Sequence, residues 1–404
     1  MLTASMAESA EFVAKTPGPG HEFDLLCVLT AAEPGPHRQQ EIANWNPAQI
    51  NWQELVRLAE HHGVLPLAAR NLTKHGHAIP PEIERSLRSS YESNLKRSLW
   101  FTAEMLRITS HFEANRLRTI PFKGPALAQS LYGDAGLRSY SDLDFLIAPA
   151  DFNRAAQLLA EIGYRPSTGL HPAVERLWLR VGYERSFDSD AGKNLLELQW
   201  ALQPHFYAVD LPVEDLLARA GRTVVRSWEM PGEMPCLISE DLLIVLCLHA
   251  AKHLWTRLIW LSDIAETLRT QTIDFSTVLS RARSLGIIRI LGVSFWLVKN
   301  VLQVGIPASA EGIIAADPQV PVIGREFSQR LARGAEYDFE STEYFRLILK
   351  LRERRIHRSR YLWRLVWTPG SGDIAAVPLP EALFPLYRIV RLGRLTQKLF
   401  RSPQ

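Results

Sequence analysis

The stretch IPFKGPALAQSLYGDAGLRSYSDLDFLIA, residues 120–148, decides how the chain is read. A short apolar entry, Ile120-Pro121-Phe122, leads to Lys123-Gly124. Pro125 then suits the start of a helix, because its fixed φ and missing N–H cost nothing there. The predicted helix carries Leu127, Ala128 and Leu131 on one side and can stop at Gly133. Lys123 and Gly124 therefore stand where free backbone N–H groups and the positive end of a helix dipole favour an anion. Ser141 to Ile147 reads as a strand, whose period of two puts Asp142 and Asp144 on one face and Leu143 and Phe145 on the other. Two carboxylates that close repel unless a cation lies between them, so the pair points to a divalent metal with oxygen ligands. A solvated strand end would carry the same spacing. Arg138, just upstream, can pair with a phosphate or hold a carboxylate in place.

Further on, Ala150-Asp151 opens another helix, with Phe152, Ala155, Ala156, Leu159 and Ile162 inward and Gly163 at its end. Strand, helix, strand, helix in quick succession gives an α/β arrangement around a small sheet. Segments 182–188 and 194–202 then read as two strands joined by the turn residues of 189–193, a hairpin. In the second strand Leu195, Glu197 and Gln199 share one face, while Leu196, Leu198 and Trp200 share the other. A carboxylate in so apolar a strand needs a partner, and the economical one is the site of Asp142 and Asp144; a half-exposed strand would leave it in solvent.

KGPALAQSLYGDAGLRSYSDLDFLI resembles the nucleotidyltransferases of the DNA polymerase β superfamily, in particular a bacterial branch with Lys-Gly ahead of R-x-x-S-D-x-D. The resemblance covers roughly residues 45–395, with specific motifs at 123–144 and weaker ones at 197 and 249–263. It implies an α+β fold: a small mixed sheet with helices, flanked by N-terminal helices and a C-terminal helical domain. It also implies that Glu197 is the third carboxylate of the superfamily, so that Asp142, Asp144 and Glu197 hold two Mg²⁺ ions, with Mn²⁺ as a substitute. The implied reaction moves a nucleoside monophosphate from an NTP to an acceptor hydroxyl or phosphate and releases pyrophosphate. Lys123 and the Gly124 backbone would bind triphosphate oxygens, Arg138 and Ser141 would fix the loop, and Lys252 would assist from the helical domain. The commoner superfamily pattern begins the helix with Gly-Ser, where this chain has Lys123-Gly124. Gln199 stands where relatives often carry histidine.

The rest of the chain sets limits. Its 404 residues allow two or three domains, expected as a loose leader over 1–43 with one short helix around Phe23–Leu29, a helical region over 44–117, a catalytic core over 118–205 and a helical domain over 206–404. A net charge of +3 is too mild to argue for nucleic acid by itself. Cys27, Cys236 and Cys247 are far apart, which suits a reducing cytoplasm rather than a disulfide framework or zinc cluster. No secretory signal is visible, and the longest apolar run, residues 242–251, is too short to span a bilayer. His61, His62, His75 and His77 lack partners at metal spacing and read as solvated helix-end residues. His249 and His253 are one helical turn apart, but no glutamate follows His249, so this is not the zincin motif. Lys252 and Arg257 are better placed for phosphate. The basic run Arg352–Arg360, with Arg388, Arg391, Arg394 and Lys398, reads as a solvated helix face. With Trp363, Trp367 and Tyr387 nearby it could instead meet an anionic membrane surface or RNA. A glycosyltransferase using DxD on a nucleotide-sugar and a toxin-like transferase acting on tRNA are the competing readings. The acceptor is left open among small molecules, peptides and RNA.

Overall fold

Helix-forming sequence encloses one short run of strands, and the strands carry the acidic residues. The computed structural model describes residues 20–75, 79–226 and 231–400. The chain begins with α1 (His21–Leu29), α2 (Pro36–Asn44), α3 (Trp52–His61), α4 (Leu65–His75) and the long α5 (Pro81–Ala114). Asn51 starts α3, its Oδ1 accepting the Glu54 N–H at 3.1 Å.

Within the leader placed over 1–43, the short helix expected around Phe23–Leu29 is α1, which buries Phe23, Leu25, Leu26, Val28 and Leu29, and α2 follows where loose chain was expected. Six of the nine α1 residues are apolar, too many to leave in solvent, and Gly35-Pro36 opens α2 rather than loosening the chain. Residues 1–19 of that leader lie outside the described residues, as does His77. His62 is not a solvated helix end either. It is fully buried against Phe23, and burial pushes its imidazole down to about 3, so it is neutral.

The central unit runs β1 (Thr119–Pro121), α6 (Gly124–Tyr132), β2 (Leu143–Ile147), α7 (Phe152–Glu161), β3 (Arg165–Pro166), α8 (Pro172–Val181), β4 (Glu184–Ser189) and β5 (Gly192–Gln199). The strands form one mixed sheet in the order β1-β2-β5-β4-β3, in which β2 and β5 are parallel and the other pairs antiparallel. One face of this sheet is apolar. Leu143, Phe145, Ile147, Leu196, Leu198 and Phe187 share a core with Phe101, Met105, Ile108 and Phe112 of α5 and with Phe152 and Leu159 of α7. Each such side chain contributes about 1.5–3 kcal/mol on burial. With that face committed to the core, a period of two sends Asp142, Asp144, Glu197 and Gln199 to the opposite face.

The remainder comprises α9 (Val213–Arg219), the hairpin β6 (Gly221–Arg226) and β7 (Pro231–Cys236), and then α10 (Ser239–Lys252), α11 (Leu258–Thr270), α12 (Phe275–Leu285) and α13 (Ile288–Val301). It closes with α14 (Ala308–Ala315), α15 (Gln319–Ala332), α16 (Thr342–Lys350), α17 (Arg355–Trp367), α18 (Ser371–Ala376) and α19 (Tyr387–Phe400). The hairpin departs from the all-helical expectation for 206–404. Its Val225 and Met234 are buried in the core beneath the sheet, which gives these short alternating segments a reason to be strands. The architecture is otherwise the expected α+β arrangement, a small mixed sheet with helical regions before and after it. Among the described residues no helix is long and apolar enough to cross a membrane.

Candidate active site

The Lys-Gly turn is folded onto the acidic strand. Lys123 caps α6 in extended conformation, and Gly124 follows at φ +56°, a region that other residues enter only with strain. A side chain at Gly124 would also meet the Asp142 carbonyl oxygen, 3.5 Å from the Cβ position. The Phe122 N–H donates to the Asp144 carbonyl at 3.3 Å. As expected from Gly133, the helix ends there in left-handed conformation at φ 71°.

The parallel pairing of β2 with β5 sets Asp144 directly opposite Glu197. Oxygens of Asp142, Asp144 and Glu197 come within 4.8 Å of one another. Lys123 Nζ lies 3.0 Å from Asp144 Oδ1, and that pair is buried, the two side chains 13% and 4% exposed. Gln199 Nε2 donates to Asp144 Oδ1 at 2.7 Å and to Glu197 Oε2 at 3.0 Å, bridging two of the three carboxylates. Glu184, the cross-strand partner of Gln199, adds a fourth carboxylate to this face.

The electrostatics follow from that crowding. Burial, and then the Asp144 carboxylate, push the Asp142 carboxyl up to about 6. Burial, then Glu184 and Asp144, push Glu197 up to about 8. Burial alone would lower the Lys123 ammonium, but Asp144 and Asp142 outweigh it and hold the group above its ordinary value. One ammonium in contact does not balance four carboxylates. A donor set made of carboxylate oxygens, under-compensated and converging, fits a hard divalent cation, which these three residues could hold.

The other expected residues fall into place unevenly. Ser141 is exposed just ahead of β2. Arg138 is buried and holds a carboxylate: Nε and Nη2 donate to Asp263 at 3.0 and 2.9 Å, and the Tyr132 hydroxyl donates to the same Asp263 at 2.8 Å. Of the two roles open to Arg138 the structure shows the carboxylate one, with the guanidinium tying the motif to α11. Lys252 is half-buried with Nζ 4.6 Å from the centre of the Tyr183 ring, and it lines a cavity of about 220 Å³ with His253 and Phe206. Burial lowers its ammonium, against the pull of Glu184. Arg257 donates to the His61 carbonyl and so joins α3 rather than facing a phosphate. His249 and His253 pack on Trp260, and burial holds both well below their ordinary value, as neutral rings.

Part of the basic C-terminal run is anchored inside the protein. Arg352 donates to the Tyr207 carbonyl, Arg360 to that of Ala208, and Arg391 to that of Leu365, while Arg364 pairs with Asp210 and Arg394 with Asp373 and Glu340. Arg354, Arg355, Arg358 and Arg388 of the run stay exposed.

Two residues escaped the sequence. Glu184 was visible as a carboxylate in the first hairpin strand. Counting back from the turn puts it on the face of Glu197, and the register shift between Phe187 and Ser189 preserves that parity. Asp263 lies in W-x-x-D midway along α11, where nothing local announces that its partner is Arg138.

Residues 48–303, well over half of the chain, match a protein family described as an uncharacterised nucleotidyltransferase. The chain belongs to this family, and it is accordingly a nucleotidyl-transferring enzyme rather than a glycosyltransferase. No curated protein and no solved structure matches the chain.

Proposed function

We propose that the chain is a polymerase-β-type nucleotidyltransferase working with Mg²⁺ on an NTP and an acceptor hydroxyl. The observation that carries this is the convergence of Asp142, Asp144 and Glu197 on one sheet face, beside the Lys-Gly start of α6. Divalent ions bound by these carboxylates would neutralise the triphosphate and lower the pKa of the acceptor hydroxyl. Lys123, held at the site by Asp144, is the cation positioned to turn to the triphosphate, and Lys252 approaches from α10. The acceptor oxygen forms a bond to the α-phosphorus, and the bond from that phosphorus to pyrophosphate breaks. Pyrophosphate leaves with the electron pair. The hydroxyl proton passes to Glu197, whose Oε2 is oriented by the Gln199 amide. Because such chemistry depends on position and charge, this set is sufficient. The catalytic unit includes the β6–β7 hairpin beyond residue 205, since Val225 and Met234 complete its core. Cys27, Cys236 and Cys247 form no disulfide among the described residues, which suits a cytoplasmic setting.

Calorimetric titration of a non-hydrolysable NTP, with and without Mg²⁺, tests the reading on the natural protein and on the Asp142→Asn/Asp144→Asn double variant. Mg²⁺-dependent binding that the double change removes is expected. Binding unaffected by the two substitutions would sink it.

A further inference from the structure

The sheet has an unfinished edge. β3 pairs with β4 only at Arg165–Asp188 and Pro166–Phe187, and the chain turns away after the Ser167 N–H reaches the Ser186 carbonyl at 3.0 Å. Glu184, Arg185 and Ser186 are thereby left along the floor of a cavity of about 960 Å³. Its walls come from two separate parts of the chain. Leu170 and Trp178 lie on the side of α8, while Leu379 and Phe384 belong to the segment between α18 and α19. The size is that of a small-molecule site, and the lining is mostly apolar with a few polar groups.

Those polar groups are not arbitrary. Ser186 is the cross-strand partner of Glu197 and Glu184 that of Gln199, so the floor is one strand, about 4.8 Å, from the strand bearing the third carboxylate. Arg185 is only 7% exposed. Its Nη2 donates to the Thr168 carbonyl and its Nη1 lies 3.5 Å from Glu175, yet neither Nε nor Nη1 makes a hydrogen bond. A buried guanidinium with two unused donors, lining an apolar cavity, is expensive unless something accepts from it. Glu175 forms an ion pair with it at 3.5 Å but accepts no hydrogen bond from Nε or Nη1. Across the mouth, Arg176 of α8 donates to both oxygens of Glu381 at 2.7 and 2.8 Å. That pair is well exposed and therefore weak enough to open.

We propose that this cavity is the acceptor site, and that it takes a small amphipathic molecule. Its aromatic or alicyclic body packs against Trp178 and Phe384, its carboxylate receives the Arg185 donors at the open edge of β4, and its hydroxyl reaches over that edge to Ser186, on the face of the strand that Ser186 shares with Glu197. A monoanion suits a cavity with one under-used cation and Glu175 close behind it, where a dianion would meet repulsion. The proposal rests on the transferase reading above for the word acceptor, but the binding it describes does not.

A panel of aromatic and alicyclic hydroxycarboxylates, 3-(4-hydroxyphenyl)propionate among them, would be screened by tryptophan fluorescence and ligand-observed NMR beside the matching primary amides. Binding of carboxylates at least tenfold tighter than of their amides is expected, with that preference lost in Arg185→Met. Ala375→Leu, which narrows the cavity from α18 and leaves β4 untouched, should weaken both series. Melting temperatures of both variants check that they fold. No carboxylate binding, equal binding of the amides, or an undiminished preference in Arg185→Met would overturn the proposal. Mg²⁺·NTP titration of the natural protein in the same buffer separates the two ideas. Nucleotide binding without carboxylate binding defeats only the cavity. Carboxylate binding without nucleotide binding defeats only the transferase reading.

Discussion

The stretch 120–148 contributes to two buried ion pairs that are chemically alike and electrostatically opposite. Arg138–Asp263 is closed: one guanidinium, one carboxylate, two nearly parallel hydrogen bonds, and the Tyr132 hydroxyl on the remaining capacity of Asp263. Lys123–Asp144 is open, because the same ammonium also faces Asp142 and Glu197, and Glu184 stands behind them. Burial is nearly complete in both, with Asp263 1% and Asp144 4% exposed. Burial therefore does not separate a structural pair from a binding one. Charge balance does: a closed pair has nothing further to gain from a ligand, whereas an open one gains a great deal from a cation.

The closed pair should show the largest effect on stability. Asp263→Ala leaves Arg138 charged, buried and unpaired, which costs about 3–5 kcal/mol. Urea unfolding of the variant should show a loss of that order, and replacing both partners by apolar residues (Arg138→Met/Asp263→Leu) should recover most of it. A loss below about 1 kcal/mol in Asp263→Ala would mean that the pair is not the tie described here.

The open pair should answer differently. Asp144→Asn removes one carboxylate from a surplus, so the metal-free protein should unfold no more easily than the natural one. Nucleotide binding should suffer instead. Outer-shell partners of a metal cost about 10–100-fold in affinity, so losing an inner ligand should cost more than ~100-fold in Mg²⁺-dependent NTP affinity, about 2.7 kcal/mol. If calorimetry finds stability lost and affinity kept, the comparison is reversed.

A pH scan sharpens the contrast further. Glu197 is raised from an ordinary 4.5 to about 8, so between those values the folded, metal-free protein holds a proton that the unfolded chain has released. Its contribution to stability is fully present below the unfolded value and is lost as pH rises toward 8. The charges facing Glu197 are Asp142 and Asp144 on β2, Glu184 on β4, Lys123 at α6 and Lys252 on α10. Below pH 6.5 the buried neutral histidines His62, His249 and His253 act in the opposite sense, because only the unfolded chain then takes up their protons. The informative window is thus pH 6.5 to 8. There the melting temperature without metal should fall by a few degrees, in keeping with about 2–4 °C per kcal/mol. Glu197→Gln should flatten that slope, and saturating Mg²⁺ should reverse it. A slope unchanged by Glu197→Gln would place the proton elsewhere.

How much of this was legible in the sequence depends on whether the deciding contact is local. The turn at Gly124, the helix stop at Gly133, the shared face of Asp142 and Asp144 and the hairpin ending in Glu197 are all fixed by residues a few positions apart. The helix α1 was legible from its own apolar density at Phe23–Leu29, whereas α2 was obscured by flanking proline and glycine. The β6–β7 hairpin, the Asp263 partner of Arg138 and the internal anchoring of Arg352, Arg391 and Arg394 depend on contacts made over long separations. No periodicity encodes those. The same holds for Lys252, whose place beside Tyr183 is set by how α10 packs on the sheet.

Gln199 offers the finest test of the open pair, because it touches the carboxylates without adding charge. Both hydrogen bonds it makes leave from one nitrogen, which reaches Asp144 and Glu197 together. Leucine there would remove both donors and should cost about 10–100-fold in metal affinity, the range of an outer-shell partner. A neutral imidazole has only one N–H, so Gln199→His can serve one of the two carboxylates and should lose less than Gln199→Leu. It should also acquire a pH dependence that the amide lacks. Below about pH 6.5 the ring takes a proton and places a positive charge against an incoming cation, so Mg²⁺ affinity should fall more steeply between pH 8 and 6 than in the natural protein. Mg²⁺ titrations of the three proteins at those two pH values decide the matter. Equal losses in the histidine and leucine variants would show that the amide merely fills space. A histidine variant intermediate at pH 8 and weakest at pH 6 would show that this position orients the carboxylates and sets the charge the metal meets.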